Sequence, residues 1–105
     1  MPKTVWNINV NGLDIKFENQ WNFSLEIRET LTVNGVVVSE LFKSRESTFR
    51  DQITGRHSAI VVVNNVNHKI AIRVGSKWLG FRIGCHIYVN DELVGGDIHS
   101  RLLFV

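Results

Sequence analysis

The sequence predicts an all-β protein, and three observations carry that expectation. Apolar and polar residues alternate over most of the chain, the dipeptides Asn11-Gly12 and Asn34-Gly35 sit where the alternation reverses, and no stretch of useful length shows a helical period. An antiparallel β-sandwich of about eight to ten short strands is the simplest way to bury such faces, with a β-barrel as the alternative. At 105 residues the chain reads as a single sandwich domain, residues 1–105, with no low-complexity linker.

The elements follow in order. Both central positions of a two-residue hairpin loop need positive φ, which Asn and Gly tolerate best. A loop at Asn11-Gly12 sets Val10 against Leu13, Ile8 against Ile15 and Trp6 against Phe17, leaving Asn7, Asn9, Asp14, Lys16 and Glu18 on the other side. The same operation at Asn34-Gly35 sets Val33 against Val36, Leu31 against Val38 and Ile27 against Phe42. From Lys43 to Gln52 the alternation weakens, and loop, short helix or edge strand all fit. A turn at Asn64-Asn65 pairs Val63 with Val66 and Ala59 with Ile70, and a loop from Gly75 to Gly80 pairs Val74 with Phe81 and Ile72 with Ile83. Three strands result, roughly 56–63, 66–74 and 81–89. A turn at Asn90-Asp91 leads to Leu93-Val94, Gly95-Gly96 marks a bulge or tight bend, and Ile98 to Val105 reads as a last strand.

Composition bounds the function. The hydrophobic share of 44% and charged share of 21% are those of an ordinary globular protein. The longest apolar run, Ala59 to Val63, is far short of a membrane span, and Met1 to Trp6 lacks the apolar core of a signal peptide. A cytoplasmic protein with no membrane partner is expected. Cys85 is the only cysteine, so no internal disulfide or cysteine-rich metal cluster can form, and it falls in an alternating apolar row as filler.

Charge is distributed unevenly. Residues 1–51 hold six Lys/Arg and seven Asp/Glu, net −1, whereas residues 52–105 hold six and three, net +3. From Gln52 to Asn90 there is no acidic residue, yet the interval carries Arg56, Lys69, Arg73, Lys77 and Arg82, with His57, His68 and His86 beside them. The predicted pairing aligns Arg56 with Arg73 and Arg73 with Arg82 on the face opposite the apolar one. Ser58, Ala71 and Gly84 come next, all small, then Ile60, Lys69 and His86. Like charges directly opposite on a sheet cost about 0.2–1 kcal/mol each, so an offsetting anion is expected, either an external partner or carboxylates from the acidic first half such as Glu26, Glu29 or Glu40. Planar guanidinium forks suit carboxylates and phosphates.

The expected binding residues are Arg56, Arg73, Arg82, Lys69, His86, Lys77 and Trp78. Trp78, framed by Gly75 and Gly80, is either a contact anchor or a cap on the sandwich end. An acidic protein surface is the leading partner. An anionic small ligand, glycan or nucleic acid is the alternative, nucleic acid being less favoured because Tyr88 is the only aromatic on the face. A homodimer through the edge strand Ile98 to Val105 is a further option.

Catalytic chemistry finds no footing. Glu29 and Glu40 would face each other across the second hairpin, an arrangement that splits carboxylate pKa values, unless the strand bends and both reach water. The four histidines lie on different strands without a short ligand spacing, no glycine-rich phosphate loop occurs, and no serine sits in an elbow. No catalytic residue, no metal and no cofactor is expected.

The opening residues "VWNINVNGLDIKFEN" resemble the first hairpin of the Fas apoptotic inhibitory molecule family, through Val5, Trp6, Ile8, Val10, Gly12, Ile15, Phe17 and Glu18. The resemblance covers about 15 residues and implies an all-β domain acting through protein contacts. The chain is shorter than the usual two-domain members of that family. Taken together, the expected function is that of a non-catalytic protein-binding module, a small regulator or inhibitor that acts by occluding an acidic surface.

Overall fold

A computed structural model describes residues 3–44, 46–48, 54–77 and 82–102. Eight strands follow one another: β1 (Lys3–Val10), β2 (Leu13–Trp21), β3 (Ile27–Val33), β4 (Val36–Lys43), β5 (Gly55–Val63), β6 (Val66–Lys77), β7 (Arg82–Val89) and β8 (Glu92–Gly96). They form two four-stranded antiparallel sheets, ordered β1-β2-β3-β4 and β5-β6-β7-β8, and the chain divides into two compact units at the same place, Met1–Gln52 and Ile53–Val105. The all-β class and the two antiparallel sheets are as the alternation predicts. Each sheet is an open meander, and neither closes into a barrel among the described residues.

In the first unit the Asn11-Gly12 turn has φ of 53° and 76°, and the register is the expected one, Val10 opposite Leu13 and Trp6 opposite Phe17. Leu13, Ile15, Phe17, Leu31 and Val33 are buried on one face. Each contributes about 1.5–3 kcal/mol by leaving water. Trp6 lies over Phe17 with ring centroids 5.8 Å apart. Asn34 does more than turn the chain. Its side-chain oxygen accepts from the Asp14 amide at 2.8 Å while its own amide donates to the Asp14 carbonyl, which ties the β3–β4 turn to β2.

The β3–β4 hairpin departs from expectation after two correct pairs. Thr32 faces Val37 but Leu31 faces Ser39, so Val38 is an extra residue, a β-bulge. Past a one-residue insertion every side chain changes face. Phe42 therefore lies opposite Arg28 and is exposed, whereas Lys43 lies opposite Ile27 and is buried. Glu40 faces Thr30 instead of Glu29, so the two carboxylates do not converge. Nor does Glu29 reach water. It is fully buried, 3.3 Å from Lys43 Nζ and 3.3 Å from Asn19 Nδ2, and its charge is matched where it sits. The insertion has a physical reason: only the shifted register brings a cation to a carboxylate that is out of water.

In the second unit Asn64-Asn65 turns with φ of 51° and 63°, and β5 pairs β6 in unbroken register as predicted, Ala59 opposite Ile70 and Arg56 opposite Arg73. Ile70, Ile72, Val74, Cys85, Ile87 and Val89 form the buried face. The next connection is a correction. Gly75 and Ser76 continue β6, which runs on to Lys77, and are buried, and the register moves four residues: Val74 faces Cys85, Ile72 faces Ile87 and Arg73 faces His86. An even displacement keeps each side chain on its predicted face.

The chain end is a second correction. β8 carries an irregularity opposite Ile87/Tyr88, and Gly96 adopts φ of 82°, as Gly95-Gly96 suggests, but residues 98–102 then run as turn and irregular backbone, not as the expected strand. A Cβ at Gly96 would collide with the Cys85 carbonyl, so only glycine lets the backbone fold back here. Half of the 43–52 crossover, residues 45 and 49–52, and the tail of the expected last strand, residues 103–105, lie outside the described residues.

Candidate anion-binding face

Alternation along β5, β6 and β7 puts Arg56, Ser58, Ile60, Lys69, Ala71, Arg73, Lys77, Arg82, Gly84, His86 and Tyr88 on the face opposite the buried row. Register then arranges them. Arg56 and Arg73 stand side by side, and the next row is Ser58, Ala71 and Tyr88. Ile60 and Lys69 follow. Small Ser58 and Ala71 side chains thus form a floor between a pair of arginines and a lysine. A hollow of about 400 Å³ lies there, lined by Arg56, Ser58, Lys69, Ala71, Arg73 and Tyr88 among others.

A second hollow of about 230 Å³ shares Arg73 and Tyr88 with the first and is bounded on its far side by His86, Arg101 and Leu102. Arg101 arrives through the folded-back tail. Asp97 anchors that tail: its amide donates to the Cys85 carbonyl at 2.8 Å, one carboxylate oxygen accepts from the Cys85 amide at 3.0 Å, and the other accepts from Lys77 Nζ at 2.8 Å. Opposed Gly75 and Gly84 leave room above the strands, and the space is taken, since a Cβ at Gly84 would lie 2.9 Å from Leu102 Cδ2. His86 Nε2 lies 3.0 Å from the Asp97 carbonyl and 2.9 Å from the Ser100 carbonyl. Both of those groups only accept, so Nε2 carries the proton and donates to them.

The expected residues therefore separate. Arg56, Arg73 and Lys69 gather around the first hollow. Arg82 is exposed but faces Lys77, four residues along β6 from Arg73 and roughly 13 Å away at strand rise, so it does not extend the row. Lys77 is engaged by Asp97, and His86 holds the tail instead of standing open. Trp78 lies outside the described residues. Arg101 falls in the stretch read as a strand: Gly95-Gly96 marks a tight bend, but nothing local tells that the chain beyond it folds back toward Cys85.

Electrostatics sharpen the picture. Lys69 meets the exposed Asp91 at 3.2 Å, a surface pair of small strength. Arg56, Arg73 and Arg101 make no ion pair among the described residues. Three guanidinium groups around two joined hollows, with an aromatic wall at Tyr88, can take planar anions in bidentate fashion while an apolar or peptide surface packs on Tyr88. No group of three or more metal-ligating side chains occurs among the described residues. No protein-family model, no curated protein and no solved structure matches the chain.

Proposed function

We propose that the chain is a non-catalytic binding module that captures an acidic protein surface through Arg56, Arg73 and Arg101, with Lys69 at the rim. The observation that supports this most is the absence of a carboxylate partner, among the described residues, for the directly opposed arginines Arg56 and Arg73. That opposition costs free energy in the isolated chain and is relieved when an anion enters. Acid–base catalysis loses its best candidates, because Glu29 is tied to Lys43 and Glu40 lies on the other face. A small domain of this kind acts by occlusion, as a regulator or inhibitor, and the resemblance of residues 5–18 to the Fas apoptotic inhibitory molecule hairpin is in keeping with action through protein contacts. The cytoplasm suits a chain whose lone Cys85 is a buried free thiol.

The test uses a fluorescein-labelled ten-glutamate peptide as the probe. Binding falls at least tenfold in Arg56→Glu/Arg73→Glu and is kept within about twofold in Arg82→Glu, with melting temperature nearly unchanged in both. Equal binding by the double variant contradicts the proposal. A 20-base-pair DNA duplex binding more tightly than the peptide, with a steep loss in salt, points to the nucleic-acid alternative instead.

A further inference from the structure

The strand beside the arginines is also the least protected edge of its sheet. β8, the opposite edge, has five residues, an irregular register and a tail folded back at its end. β5 has nine residues and nine consecutive pairs with β6 and no bulge, and it pairs with no second strand among the described residues. Natural edges of that length are blunted by bulges, prolines, short length or charge, and otherwise accept another strand. The outer face of β5 is polarised along its length. Arg56 stands at one end beside Arg73, and at the other Ile60 and Val62 are 71% and 60% exposed.

We infer that β5 is a docking edge for an extended acidic peptide segment, which adds as a fifth strand and lays acidic side chains over Arg56 and Arg73 and apolar ones over Ile60 and Val62. The inference rests on the proposed acidic partner and adds its conformation. Main-chain hydrogen bonds supply affinity in such complexes and alternate side chains supply selectivity. Charge complementarity selects this occupant over a second copy of the chain, since self-pairing would bring another Arg56 and Arg73 toward the same face.

A nine-residue peptide with Val, Val, Glu and Glu at its second, fourth, sixth and eighth positions and Thr elsewhere, together with its reverse sequence, serves as probe. In an added strand only alternate amides face the partner. N-methylation of one alternate set of amides therefore lowers affinity at least tenfold and that of the other set changes it less than threefold, while amide hydrogen exchange slows within residues 56–62. Equal binding after either methylation overturns strand addition and leaves the arginine proposal standing, as does binding of the ten-glutamate peptide alone. Failure of every acidic peptide removes both. Slowed exchange in β1 or β4 instead of β5, or a β5-mediated dimer that the peptide does not dissociate, overturns the assignment of the edge.

Discussion

The two sheets handle charge in opposite ways. In the first, Glu29 and Lys43 are taken out of water together, with Asn19 completing the carboxylate's hydrogen bonds. In the second, Arg56 and Arg73 stand opposite one another in solvent with no carboxylate among the described residues to meet them. Balanced charge that is buried fixes a register, as the bulge at Leu31/Thr32 does here. Unbalanced charge that is exposed fixes nothing in the fold and is available to a partner. The contrast separates residues that hold this molecule together from residues it can spend on recognition.

The largest test of that contrast is removal of one member of the buried pair. Glu29→Ala leaves Lys43 without its buried carboxylate and lowers unfolding free energy by about 3–5 kcal/mol in urea titration. Glu29→Met/Lys43→Met, which removes both charges at similar volume, regains most of that loss. A loss below about 1 kcal/mol in the single variant would show that the pair does not hold the register.

The opposite sign is expected in the second sheet. Arg56→Gln removes a like-charge opposition and raises stability by about 0.2–1 kcal/mol, while affinity for the ten-glutamate peptide falls. Loss of stability on this substitution would show that Arg56 has a structural partner.

How far the sequence disclosed this division depends on where its signals are local. Asn11-Gly12 and Asn64-Asn65 fix their hairpins because positive φ at two successive positions, flanked by alternating apolar residues, admits one register. The β3–β4 bulge escaped because Val36, Val37 and Val38 are apolar in succession, so either parity satisfies the pattern; the clue lay in Glu29, an acid on an apolar row that only a shifted Lys43 could match. Gly75 misled for a different reason. Glycine there serves a close approach above the strand, not a turn, since Gly75 lies opposite Gly84 and Leu102 packs over Gly84. The arginine face was legible in outline because β6 and β7 slipped by an even number: Arg73 meets Arg56 as expected on β5 but His86 instead of Arg82 on β7, and Arg101 depends on a chain reversal that one glycine permits.

The smallest expected effect belongs to a paired charge at the surface of the first sheet. Glu18 lies 3.2 Å from Lys16 and 3.5 Å from Lys3. The hydrogen bond from Lys16, aided by the charges of Lys16 and Lys3 and opposed by partial burial, lowers its pKa from the ordinary 4.5. A carboxyl whose pKa is lower folded than unfolded stabilises the fold above the unfolded value, and that stability is lost as pH falls through the folded value. Wild type should therefore exceed Glu18→Gln by about 0.5 kcal/mol at neutral pH, with the gap closing on acidification below pH 4.5. A gap that widens in acid would reverse the assignment.

The most direct measurement is the arginine side-chain Nε–Hε spectrum during titration with the ten-glutamate peptide. The account predicts saturable shifts at Arg56, Arg73 and Arg101 with one common affinity, and a stationary Arg82. Shifts confined to Arg82, or equal small drifts at every arginine that vanish with moderate salt, would contradict it.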